Sequence, residues 1–362
     1  MAHSAASLFT GAGGFDIGVE RAGFEVVFRT DLDAACCETL VANGRPATLD
    51  DVRDVELPSG LDLVFGGPPC QAFSSAGSMG GLSDPRGQLV FEFARHVASA
   101  RPRLFLMENV RGLVTARPPD GEPGGVLLAL LAAFGSAGYA CRAMLLNAAD
   151  FGSPQRRVRL FIAGSRAGAP PKEPEPTHGL GRIPHATLGG FLALHADLDE
   201  SAWERPTPAL AAALVGVQDG HGLRSPGKVE ATRPGGHWGY RQGAFIADQS
   251  LPARTVTATT SDLVRLPDGS LRRLTAREAA GLQGFPDGWE FRGARRQALS
   301  QAGNAVPVPL AEAVARAAAA RLASWDESAP PEAAPLPERM RRDAARTARE
   351  GRRNRPRPAA ER

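Results

Sequence analysis

Short apolar runs recur along the first 165 residues, and each hands over to a segment with a helical repeat of apolar positions. "ASLF" leads through "TGAGG" into a helical pattern ending at Arg21, and "FEVVFRTD" precedes "AACCETLVAN". "LDLVF" precedes "GGPPC" and then "QLVFEFARHVAS", "RLFLMEN" precedes the apolar stretch at 126–134, and "RLFIAG" closes the series. Apolar runs bounded by glycine and proline read as strands. Their alternation with helices predicts an α/β fold, a doubly wound, mostly parallel sheet with helices on both faces. Proline cannot donate to a strand ladder, so the run "LDLVF" stops before Pro68 and Pro69 and Cys70 sits just past a strand end.

The pattern dissolves between about 166 and 250 into proline, glycine, histidine and scattered aromatics, as in "APPKEPEPTHGLGRIPH" and "RPGGHWGYRQG". That is too long for a connection within one unit, and it predicts a second, smaller domain. The expected organisation is a first domain at 1–165, a small domain at 166–300, a segment at 301–325 returning to the first domain, and a tail at 326–362. In the returning helix Leu310, Val314, Ala318 and Leu322 share one face. The tail is proline, alanine, arginine and glutamate with almost no large apolar side chains, which predicts disorder.

Composition narrows the function little. The formal charge is +3, made of 40 arginines with only Lys172 and Lys228 against 39 acids. Arginine suits phosphate and base edges, but coding bias gives the same excess, so charge leaves a nucleic-acid partner open. The cysteines, Cys36, Cys37, Cys70 and Cys141, form no C-x-x-C pair and have no histidine at zinc-ligand spacing, so neither a metal site nor a disulfide framework is expected. The longest apolar run is too short to span a bilayer and the N-terminus lacks a signal pattern, which predicts a cytoplasmic chain without a membrane partner.

Ligands of open parallel sheets bind outside the carboxyl ends of the strands, and the polar groups of interest all fall there. The first strand runs into Gly11, Gly13 and Gly14, the second ends at Asp31, "LDLVF" leads to Cys70, and "RLFLMEN" ends at Glu108 and Asn109. The glycine turn lets backbone approach a ligand at a helix N-terminus, but Asp16 stands where a dinucleotide fingerprint wants Gly or Ala. Asp31 either holds ribose hydroxyls or caps the following helix. Glu108, behind "RLFLM", is either a general acid with a raised pKa or a salt-bridged structural residue. Arg157 and Arg159 alternate with Val158 and share one face of a strand.

The motifs "LFTGAGGFDIG", "GGPPCQAFS", "DPRGQLVFEF", "MENVRGL", "FGSPQRRVRLFIAG", "LTAREAAGLQGFP" and "QAGNAVPVPL" closely resemble, in order and spacing, those of the DNA cytosine-5 methyltransferases. The resemblance covers residues 7–165 and 250–322. It implies S-adenosylmethionine as methyl donor in a Rossmann-like methyltransferase domain, and double-stranded DNA in a cleft against a small target-recognition domain. It implies that Cys70 attacks C6 of a flipped-out cytosine while Glu108 bonds N3 and the exocyclic amine, and that Arg159 contacts O2 with Arg157 nearby. Phe9, Gly11, Gly13, Gly14, Asp31, Leu89 and Asn304 resemble the cofactor pocket, and Asp51 the adenine contact, with Asp50 competing because Asp-Asp-Val stands here for Gly-Asp-Ile. Ser74 to Gly87 resembles a closing lid. The expected protein acts as a monomer, either solitary or beside a cognate restriction endonuclease. A transfer-RNA cytosine methyltransferase and a non-catalytic DNA-binding regulator are the rival readings.

Overall fold

The apolar runs become strands of a single seven-stranded sheet in a computed structural model, which describes residues 2–69, 85–118, 121–223, 244–258 and 261–353. In chain order the first elements are β1 (His3–Leu8), α1 (Gly14–Arg21), β2 (Phe24–Asp31), α2 (Ala34–Ala42), β3 (Thr48–Leu49), β4 (Leu63–Gly66), α3 (Leu89–Ala100) and β5 (Leu104–Val110). Then come α4 (Gly125–Ser136), β6 (Ala140–Asn147) and β7 (Val158–Ser165). The sheet order is β3-β2-β1-β4-β5-β7-β6, parallel except that β7 runs antiparallel to both neighbours. The strand order reverses between β1 and β4, which opens a crevice at their carboxyl ends.

Successive side chains of a strand point to opposite faces, and the core divides accordingly. Val64, Phe105 and Met107 pack with Phe93 of α3 and Phe134 of α4 on one face. Their sequence neighbours Leu63, Phe65, Leu104 and Leu106 pack with Phe15 of α1 on the other. This burial on both sides is why the strands read as continuous apolar runs.

The later elements are α5 (Leu188–His195), α6 (Pro208–Ala213), the hairpin β8 (Leu263–Arg265) and β9 (Leu271–Arg273), α7 (Ala276–Leu282), α8 (Arg295–Asn304) and α9 (Val308–Ala323). Leu310, Val314, Ala318 and Leu322 of α9 are all buried on the second face, as their spacing predicts. Leu188, Ala247, Leu282, Phe285 and Val308 share a cluster with Ala12 and Ile17, so packing crosses the boundary expected near residue 166. Among the described residues no helix is long and apolar enough to cross a membrane.

The disorder expected over 326–362 needs correction for its described part, residues 326–353. Residues 326–337 run along the sheet, where the Ala334 N–H donates to the Cys141 carbonyl of β6 at 3.2 Å, and α10 (Glu338–Arg353) follows. Met340 of α10 is buried in the first-face cluster, and Asp343 pairs with Arg111 at 2.6 Å. One apolar anchor, one ion pair and a run of good helix formers order a segment whose average composition reads as unfolded.

Two positions make this fold testable. A side-chain carbon added at Gly14 would stand 2.6 Å from the Val306 carbonyl oxygen, where α1 meets the turn into α9. Gly14→Ala is expected to destabilise by about 1–3 kcal/mol, read in denaturant unfolding. Asp16, fully buried, accepts from Thr10 and Ser7 at 2.7 and 3.1 Å and from Arg29 Nε at 3.0 Å. Burial pushes its carboxyl from 3.8 to about 6 against the Arg29 charge. Below 3.8 this carboxyl's contribution to stability is whole; it is lost as pH rises through about 6, because the native state holds a proton that the unfolded chain has released. Asp16→Asn is expected to flatten the fall in unfolding free energy across that window by about 2–3 kcal/mol.

Candidate active site

β1 ends in a turn that doubles back before α1. Phe9 and Gly11 both have φ of 55°, and Gly13, at 88°, caps α1. Gly11 and Gly13 meet this conformation without a Cβ penalty, whereas Phe9 is strained there by about 1–2 kcal/mol. Asp31, at the end of β2, fastens the turn: one carboxylate oxygen accepts the Gly11 N–H at 2.7 Å and the other accepts the Asp33 N–H at 2.9 Å. The cap of α2 is Asp33, which accepts from the Ala35 N–H, so Asp31 is not the helix cap. Burial pushes the Asp31 carboxyl above the ordinary aspartate range, against those backbone bonds.

A cavity of about 300 Å³ lies outside this crevice. Phe9, Gly11, Gly14, Asp31, Leu89 and Asn304 line it on the side of the turn. Gly13 does not; an added Cβ there would face Leu40 at 2.8 Å, so it shapes the turn from behind. Asp50 and Asp51 both reach the wall, but the Asp51 carboxylate is held by the Arg53 guanidinium at 2.7 and 3.0 Å. That bond holds its pKa below the ordinary range.

Pro68, Pro69, Glu108, Arg157 and Arg159 line the same cavity. Cys70, the lid expected at Ser74 to Gly87 as far as Asp84, and Trp238, Tyr240 and Arg241 lie outside the described residues. The antiparallel register sets Arg159 opposite Val110, one diagonal step from Glu108, and its Nε donates to Glu108 Oε1 at 2.8 Å. Glu108 Oε2 faces Gly67, where an added Cβ would stand 3.2 Å away, so a side chain there would crowd it. Burial pushes the Glu108 carboxyl above the ordinary glutamate range, and the Arg159 and Arg157 charges oppose the rise without cancelling it. Glu108 is therefore salt-bridged, as one of its two sequence readings has it, while burial raises its pKa in the direction that the other requires.

Arg157, buried, donates to the carbonyls of Val256 and Gly303, both at 2.8 Å, and so ties the start of β7 to the residue before Asn304. Sequence reasoning placed it beside the substrate and missed this clamp. It also gave no role to Asn109, which donates to the Pro68 carbonyl at 3.1 Å and pins the loop that leads to Cys70. Gln155 and Gln283 were missed as well; they join each other at 2.7 Å, and Gln283 reaches the Ala302 carbonyl. Their signal was available as polar residues inside apolar motifs, "SPQRR" and "GLQGFP".

The three described cysteines are poor nucleophiles. Burial pushes the Cys37 thiol to about 11 and the Cys141 thiol to about 12, and drives Cys36, which touches the cavity, higher still. Among the described residues no cluster of His, Cys, Asp and Glu could hold a metal ion.

A family model, C-5 cytosine-specific DNA methylase, matches residues 3–190 and 220–320. The type II methyltransferase M.PspPI of Psychrobacter sp. is 34% identical over 334 residues, which cover 87% of this chain and 78% of the relative. M.FnuDI of Fusobacterium nucleatum, another type II methyltransferase, is 32% identical over 329 residues, 86% of this chain and 92% of the relative. The structure of the Entamoeba histolytica methyltransferase EhMeth matches 89% of this chain and 99% of its own with a TM-score of 0.64 at 14% identity, a likeness of fold alone. With its reversing sheet, its glycine turn and its buried acid beside Arg159, the chain belongs to the C-5 cytosine-specific DNA methylases and is a DNA cytosine-5 methyltransferase.

Proposed function

We propose that this enzyme methylates a cytosine turned out of a short duplex recognition sequence, through a transient bond from Cys70 to C6. The supporting observation is the Glu108–Arg159 pair at 2.8 Å, on the same cavity wall as the Pro68–Pro69 loop and the Asp31 turn. Burial holds the three described cysteines protonated, which leaves Cys70, placed by its motif behind Pro68 and Pro69, as the nucleophile of this reading. In this reading residues 1–165 and 301–325 form the methylating unit and the region between them reads the target.

Family and fold imply dependence on S-adenosylmethionine. The residues fit it: Gly11 leaves open space where a Cβ would stand, and Asp31 offers a half-buried carboxylate for ribose hydroxyls. Phe9 and Leu89 supply apolar wall for a base, with Asp50 or Asp51 at its polar edge and Asn304 across the cavity. When bound, S-adenosylmethionine supplies an electrophilic methyl group to the activated carbon.

The protein's own part is to make C5 of cytosine nucleophilic. A paired cytosine cannot reach a pocket thiol, so it leaves the stack at a cost of a few kcal/mol. The Cys70 thiolate then adds to C6, the C5–C6 π pair moves toward C5 and the ring, and Glu108 holds a proton at N3, where the negative charge collects. Arg159 orients Glu108 and faces O2, and Arg157 holds the segment carrying Asn304. Loss of the C5 proton after methylation restores the double bond and expels the Cys70 sulfur. The relatives are type II methyltransferases, and we read this chain as a monomeric methylase of such a system, with a cognate endonuclease acting on the same site.

A duplex carrying 5-fluorocytosine has no C5 proton to lose and should trap the adduct with the donor present. Cys70→Ser is expected to trap none while still binding S-adenosylmethionine; loss of both, or an adduct that survives, refutes the assignment. Trapping on transfer RNA in place of duplex DNA would favour the RNA reading. Glu108→Gln is expected to lower kcat by about 10²–10⁴-fold. In the wild type kcat should fall as pH rises through a carboxyl pKa above the ordinary glutamate range, since the protonated form is the active one; the variant should lack that limb.

A further inference from the structure

We propose that α10 is a DNA-backbone clamp, in which Arg339, Arg342, Arg346 and Arg349 contact phosphates flanking the methylated site. The family match ends at residue 320, so this helix lies outside the residues that the family model matches. The inference rests on duplex DNA being the substrate and adds to that reading the surface that holds it.

The helix has two unlike faces. Met340, Asp343, Ala344 and Thr347, at helical spacing, face the protein: Met340 is buried and Asp343 pairs with Arg111. Arg117 donates to the Thr347 carbonyl at 3.4 Å, and Ala344 sits against Gly124. Arg339, Arg342, Arg346 and Arg349 fall on the opposite face at steps of three, four and three residues, and all four are exposed. Arg342 pairs with Glu338, and Arg346 lies 3.3 Å from Asp343. Arg339 and Arg349 have no carboxylate in salt-bridge range among the described residues. The ridge spans about 15 Å, the length of about four phosphates along one strand of B-DNA.

Its position suits that partner. Arg111 follows Val110 directly; Val110 and Glu108 both line the cavity. Three residues of extended chain place the Arg111 backbone about 10 Å from that of Glu108, and the Arg111 side chain reaches on from there to Asp343. The docked helix is thus held next to the strand end that opens into the cavity, where a bound duplex would bring its flanking phosphates.

Charge selects a polyanion. Residues 338–362 hold ten arginines and four acids, so the remainder of a chain whose total is +3 carries a net −3. A methylase of DNA whose body is net negative gains its attraction to phosphate from this end of the chain.

The test compares the full-length wild type with Arg339→Gln, Arg342→Gln, Arg346→Gln and Arg349→Gln combined. Glutamine keeps the helix propensity, and Met340 and Asp343 keep the docking, which an unchanged thermal midpoint verifies. Across a salt series with a duplex longer than the target site, the slope of log Kd against log salt should be shallower by about 3 in the variant. Lysine at the same four positions should restore it. A change in slope below about 2, or one seen only with single-stranded RNA, overturns the clamp. A wild type that fails to methylate any duplex would instead refute DNA as substrate, so the two failures are distinct.

Discussion

A carboxylate withdrawn from water at the end of a buried strand is tolerable only with a cation against it, and the contact between Glu108 and Arg159 is that arrangement. Much of the architecture follows from supplying the guanidinium. β7 must run antiparallel between β5 and β6, since only that direction starts the strand where β5 ends and sets Arg159 beside the acid. Two residues earlier, just ahead of the strand, Arg157 holds the carbonyls of Val256 and Gly303. One strand start thereby fixes both the acid and the segment returning with Asn304.

The returning segment is secured by polar groups as much as by packing. Gln155, Gln283 and Gln301 are buried, and each is satisfied by carbonyls or side chains from other parts of the chain. Thr39 of α2 donates to Gln301 and accepts the Arg292 N–H, which ties the first helices to α8. A fully satisfied buried network is specific, because any other docking would leave amides without partners. The cavity wall is assembled from segments about 300 residues apart, and this network is what holds them in register.

The strand ends were legible because burial on both faces makes parallel strands unmistakable, and the polar residue that follows each run falls at the crevice by geometry. Asp31 and Glu108 fall at the crevice this way, although competing local contacts for each could be separated only by coordinates: Asp33 is the helix cap, and Glu108 is ion-paired with Arg159. β6 went unread because "ACRAMLLN" sets an arginine, two alanines and a cysteine into a run with no clear apolar alternation, and with it the antiparallel direction of β7 was missed. α10 was lost for a different reason. Average composition cannot register that one methionine at position 340 and one aspartate at 343 face the same way and meet a waiting surface.

The cleft faces opposite electrostatic demands. A sulfonium donor favours carboxylates, and Asp31, Asp50, Asp51 and Glu108 all reach the cavity wall. A duplex brings a dense row of phosphates to the mouth of the same cavity and is repelled by them. The arginines of the wall do little to offset this, because Arg53 is engaged by Asp51 and Arg159 by Glu108, while Arg157 is buried against carbonyls. Positive charge must therefore act from the rim, outside the acidic pocket yet within a screening length of the phosphates, about 8–10 Å at ordinary salt. A helix of arginines anchored at Arg111 meets that condition with no charge placed in the cavity itself, so the pocket stays acidic for the donor while its approaches favour the duplex.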